Sequence, residues 1–98
     1  MGYGVSGLME TCNFGWALDK LKSGCRVARY GWNWTDMFIF LVPGSTFTVN
    51  RAPLLGIYSE GTEINYQPHI DMRTSNGTIV PWLASQSDML AEDWCIVC

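Results

Sequence analysis

At 98 residues the chain has room for one domain and not two. It is 48% hydrophobic and only 15% charged, which excludes a disordered chain and leaves few charges to cover a small domain's large surface, so self-association would bury useful apolar area. A net charge of −3 argues against DNA or RNA as partner, because a polyanion needs a basic face; a small anion, held by one or two arginines, stays open.

Residues 1–12 carry Gly2, Gly4 and Gly7 and read as a flexible leader, with the folded domain expected over 13–98. The leader has neither a basic region nor a long apolar segment, so it is not expected to be a signal peptide. No run of about 20 apolar residues occurs, so no membrane span is expected. Without export the cysteines should be thiols.

The first predicted element is a helix from Asn13 to Ser23. Asn13 is a good N-cap, and Phe14, Ala17, Leu18 and Leu21 recur at the spacing of one helical face. Lys20 and Lys22 suit the last turn, and Gly24 suits the position after the end. Cys25–Tyr30 reads as a short strand, with Arg26 and Ala28 facing one way and Val27 and Arg29 the other. Residues 31–36 form a loop. Met37–Val42 is a strand too continuously apolar to have a wet face, and Pro43-Gly44 turns the chain. Thr46–Val49 is β-prone, and Asn50–Glu63 is irregular. Ile64–Arg73 is extended but interrupted at Pro68. Asn76-Gly77 predicts a hairpin into Thr78–Trp82, where Pro81 marks an edge. Ser85-Gln86-Ser87-Asp88 has the form of a capping box opening one helical turn, and Asp93–Val97 closes as a strand. The expected fold class is α+β, one N-terminal helix packed on a small, mostly antiparallel sheet.

Several residue groups invite a chemical reading. Cys95 and Cys98 form a C-x-x-C, but on a strand they would diverge, and Cys12, Cys25 and His69 complete no four-ligand set. No metal and no cofactor are expected. His69 and Asp71 would share a strand face, as an acid–base pair or as an ordinary hydrogen-bonded pair. No phosphate loop of Walker or Rossmann spacing occurs.

The loop from Arg29 to Asp36 is the most informative segment. Its Trp32 and Trp34 could stack a purine, Asn33 and Asp36 could read the polar edge, and Arg29 could grip a phosphate. Equally, the indoles could plug the sheet or an interface between copies. A second candidate is Trp82 with Ser85 and Gln86, where an aromatic precedes a helix N-terminus, or else serves as core beside a simple cap. Ser45, Thr46 and Arg51 could hold a second phosphate, or simply form a turn and an exposed strand.

The stretches Asn13-Phe14-Gly15, Arg29-Tyr30-Gly31-Trp32-Asn33, Phe40-Leu41-Val42-Pro43-Gly44-Ser45, Pro68-His69-Ile70-Asp71-Met72 and Pro81-Trp82-Leu83-Ala84-Ser85-Gln86, with Asp93-Trp94, resemble the second Thoeris anti-defence family of phages. The resemblance runs from about Asn13 to Val97. It implies a homotetrameric sponge, not an enzyme, that binds cyclic ADP-ribose isomers in the cytoplasm of the infected bacterial host. It also implies that a cyclic dinucleotide could be held at a separate site, and it adds Phe14 to the ligand-binding candidates. This sequence departs from the family pattern in residues 1–12, in Trp34 and in Cys98. Two alternatives of other classes are an inhibitor that binds an immune effector directly and a hydrolase of the signal.

Overall fold

A computed structural model describes residues 12–32 and 36–97. The leader up to residue 11, residues 33–35 and residue 98 lie outside the described residues, so the expectations for the leader, Asn33, Trp34 and Cys98 fall outside it.

Helix α1 spans Phe14–Lys22. Asn13 is its N-cap, and its side-chain oxygen accepts the Trp16 N–H at 3.0 Å. The helix stops where Gly24 takes a φ of +97°, a conformation that a Cβ disfavours. Ala17 and Leu21 are fully buried, and Phe14 and Leu18 pack beside them, which is the face expected from the sequence.

Five strands form an antiparallel sheet. They are β1 (Arg26–Arg29), β2 (Phe38–Val42), β5 (His69–Arg73), β6 (Ile79–Pro81) and β7 (Trp94–Val97), in the spatial order β6-β5-β2-β1-β7. The remaining strands, β3 (Ser45–Thr48) and β4 (Glu63–Tyr66), pair only with each other. The extended region expected over Ile64–Arg73 therefore splits at Pro68 into strands of two different sheets. A second helix, α2 (Gln86–Leu90), lies between β6 and β7.

Register assigns the faces. Val27 is opposite both Ile39 and Ile96, Ile39 is opposite Met72, and Leu41 is opposite Ile70. Strand alternation puts these on one face, where they pack against Ala17, Leu21 and Trp94 as the core. Arg26, Ala28, Phe40, Asp71 and His69 take the other face. Pro81 lies on the edge strand β6, where its missing N–H leaves no ladder bond unmade. The turn before β6 closes through Thr74 and Thr78, with the Thr74 N–H donating to the Thr78 carbonyl at 2.8 Å and Gly77 at a φ of +92°. Cys12, expected at the end of the leader, exchanges two backbone hydrogen bonds of 2.9 Å with Trp94. Among the described residues no helix is long and apolar enough to cross a membrane.

Candidate functional site

The two tryptophan segments converge. Trp32 follows β1, Trp82 follows β6, and both indoles rest on Trp94 of β7, which is fully buried. Ring centroids lie 5.4 Å apart for Trp32 and Trp94, and 6.1 Å for Trp82 and Trp94. Phe14, at the start of α1, completes the group at 5.4 Å from Trp94 and 6.2 Å from Trp82. Most of these contacts are tilted or edge-on, the arrangement ring quadrupoles favour. Phe14, Trp32 and Trp82 are each only half-buried. They form an aromatic rim with a buried indole beneath it.

Trp32 and Trp82 meet at 6.5 Å with their planes 72° apart. This is direct edge contact and not a parallel slot, so a planar ligand would stack on the exposed part of the rim instead of sliding between the indoles. Each ring therefore packs on the core and also presents surface outward. The Trp82 backbone N–H donates to the Ile70 carbonyl at 3.1 Å, which fixes the segment to the end of β5.

Ser85 and Gln86 open α2 and are exposed. Ser85 is its N-cap in a complete capping box: its hydroxyl oxygen accepts the Asp88 N–H at 3.1 Å, and its own N–H donates to the Asp88 carboxylate at 3.0 Å. The Asp88 carbonyl in turn accepts the Trp94 indole N–H at 3.0 Å, so the helix is tied to the buried ring of the cluster.

Arg29 enters this corner from β1. Its Nε donates to Asp93 at 2.9 Å and its guanidinium meets Asp88 at 3.1 Å. The hydrogen bond to Asp93 outweighs burial and raises the Arg29 pKa above its ordinary value. Burial pushes the Asp88 carboxyl up, but hydrogen bonds from Ser85 and Arg29 more than offset it and leave its pKa below the ordinary value. Arg29 thus joins β1, α2 and the start of β7.

The described part of the 31–36 loop is anchored from β5, where the Arg73 guanidinium donates to the Asp36 carbonyl. Asp36 is half-buried, and Asn33 lies outside the described residues. Trp94, Asp88, Asp93 and Arg73 all support the site, and sequence reasoning gave none of them a role in it. The capping-box pattern flagged Asp88 as a cap. Nothing in the spacing marks it as a partner of Arg29, 59 residues away.

The second group of candidates is elsewhere. Ser45 and Thr46 are exposed on β3, and the Thr46 hydroxyl donates to the Asn65 side chain at 2.6 Å across the β3–β4 pair. Arg51 lines an open groove of about 520 Å³ with Phe47, Val49, Pro53, Leu54 and Tyr66. The structure thus brings Arg51 to this groove, and Ser45 and Thr46 are not among its lining residues.

His69, Asp71 and Cys95 lie on the other side of the sheet from the rim. His69 and Asp71 approach to 3.6 Å on the sheet face opposite the aromatic cluster. Cys95 is buried on that same opposite face, and its thiol donates to the Ala28 carbonyl at 3.4 Å. Burial, with a smaller contribution from Asp93, raises the thiol pKa and keeps it protonated at neutral pH.

A family model described as Tad2-like, the Thoeris anti-defense 2-like domain, matches residues 12–97. The chain is also similar to a protein of Bacillus phage SP01 named Thoeris anti-defense 2. The two are 39% identical over 85 residues, which covers 87% of this chain and 93% of the relative.

Proposed function

The chain belongs to the Thoeris anti-defense 2-like family, and on that premise we propose that it binds and sequesters a cyclic ADP-ribose isomer without cleaving it. Family membership supports a phage anti-defence role, exercised in the infected host. The observation that carries the molecular reading is the rim of Phe14, Trp32 and Trp82 beside the polar start of α2. An adenine stacks on the exposed indole surface. Ser85 and Gln86, exposed at the start of α2, read ribose hydroxyls and base edge, and Asn33 and Asp36 are the further polar readers in this proposal.

Sequestration in place of catalysis is supported by the chemistry around the rim. The His69–Asp71 pair faces the other side of the sheet, and the Cys95 thiol is buried and protonated. A nucleophile and its base must lie within hydrogen-bond reach of each other and of the substrate, and neither group is so disposed toward the rim. The protein self-associates in this reading, since a chain with 15% charge exposes large apolar side chains that another copy can cover; four copies is the number that the family resemblance implies.

The test is isothermal titration with cyclic ADP-ribose isomers, followed by heat denaturation and mass analysis of the released ligand. Saturable binding with intact ligand is expected. Release of a cleaved product would make the protein a hydrolase. Absence of binding to any isomer, with a stable complex formed instead with an immune effector protein, would make it a protein-directed inhibitor.

A further inference from the structure

The β3–β4 pair poses a packing problem. All four residues of β3 and three of the four in β4 are exposed, so the ribbon is wet on both faces. It belongs to neither edge of the five-stranded sheet, and a two-stranded ribbon standing alone is marginally stable in water. Among the described residues neither outer edge of the ribbon pairs with another strand, and such edges are ready to pair with another chain. Within Pro43–Gln67 only Val49 is buried.

The composition of this arm does not suit exposure. Its only charged residues are Arg51, Glu60 and Glu63. It nevertheless exposes Phe47, Leu55, Tyr58 and Tyr66, and Ile57 is 69% accessible. Taking ~150–250 Å² for a large side chain, these five together present roughly 500 Å² of apolar surface. Each partner in a stable interface buries about 800 Å², a little over half of it apolar, so the arm carries about one such share.

We propose that this arm docks on the same arm of a second copy of the chain. An isologous contact lets one surface cover itself, and it suits a segment carrying both an arginine and two glutamates, since each Arg51 can face a partner carboxylate. The groove beside Arg51 is then the receiving half of the contact. The arm is fixed at its base to present this surface: a Cβ on Gly44 would lie 2.6 Å from the Tyr66 carbonyl oxygen, so the two connections to the main sheet cross there in backbone contact. The inference rests on the self-association proposed above and names its surface; it does not depend on what the rim binds.

Light scattering on wild type and on an Ile57→Glu, Tyr58→Glu variant tests it. Both side chains are largely exposed, so the monomer should keep its circular dichroism and cooperative melt. The wild type is expected at a multiple of the chain mass, and the variant at half of that or less. A variant that retains wild-type mass overturns the arm as interface and leaves self-association intact; a monomeric wild type overturns both. Should the variant lose its cooperative melt, hydrogen exchange on wild type decides. Amide protection across Ser45–Thr48 and Glu63–Tyr66 that grows with protein concentration supports the contact, and protection independent of concentration overturns it.

Discussion

Replacing Trp82 with alanine separates the two duties of the aromatic rim. Trp82 touches Phe14, Trp32 and Trp94 at 6.2, 6.5 and 6.1 Å. Truncating a fully buried tryptophan costs about 3–5 kcal/mol, and Trp82 is half-buried, so roughly 2 kcal/mol is expected. For a domain of this size that lowers Tm by roughly 8–16 °C. Against a total stability of ~5–15 kcal/mol the variant still leaves about 1% or less of the protein unfolded. Unfolding therefore has no measurable effect on an apparent Kd. Loss of one stacking ring costs about 1–3 kcal/mol of binding, which weakens affinity by roughly ten- to hundredfold. Titration with a cyclic ADP-ribose isomer, on a variant shown to keep its mass and cooperative melt, reads this directly. Trp82→Phe should fall between the two, because a smaller ring keeps the contact with Trp94 and part of the stacking face. Wild-type affinity in folded Trp82→Ala would refute the rim as the binding surface.

Asp88→Ala removes both the reciprocal half of the capping box and one partner of Arg29, and should cost about 1–3 kcal/mol, seen as a lower Tm with α2 loosened in hydrogen exchange. The Asp88 carboxyl has a folded pKa below its unfolded value, so its stabilisation is fully present above about pH 4 and is lost as pH falls through the lower folded pKa; the Tm gap between wild type and Asp88→Ala should close only in that acid range. Arg29→Ala should lower Tm by a similar amount because it leaves Asp88 and Asp93 facing each other without their cation, and a fall in affinity with unchanged Tm would instead make Arg29 a ligand contact. Gly44→Ala should destabilise by roughly 1–3 kcal/mol, since the obstructing atom is backbone and cannot swing away; an unchanged melt would mean that the crossing is looser than its geometry.

What was legible in the sequence follows the range of the interaction. Helix α1 rests on local signals, the Asn13 cap, the Phe14–Ala17–Leu18–Leu21 face and Gly24, and all of them operate in the structure. The α2 capping box and the edge position of Pro81 are local in the same sense. The β3–β4 pair was not legible as a separate unit. Thr46–Val49 and Ile64–Tyr66 have the same composition as strands of the main sheet, and only the close crossing at Gly44 and Pro68 sets them apart. Trp32 and Trp82 stood out because indoles in polar segments are conspicuous. The residue that joins them, Trp94, sits in Trp94-Cys95-Ile96-Val97, which reads as an ordinary apolar strand. Its central place depends on β7 pairing with β1, a contact between residues 67 positions apart at Ala28 and Cys95.

Arg29 shows most clearly how the fold changes a residue's meaning. In the sequence it is the cation nearest the tryptophan loop and a natural phosphate ligand. In the structure its charge is met by Asp88 and Asp93, so the three groups together carry one net negative charge. A pyrophosphate brought to this corner would meet repulsion from two carboxylates before it gained from one guanidinium, and at a few ångströms in a partly buried setting each such interaction is worth on the order of a few kcal/mol. The aromatic end of a cyclic ADP-ribose can therefore sit on the rim, but its phosphates should point away from Arg29. Arg73 donates to the Asp36 carbonyl and brings a positive charge to that end of the 31–36 loop. On the proposed reading, the ligand therefore places its adenine on Trp82 and turns its anionic bridge away from Arg29.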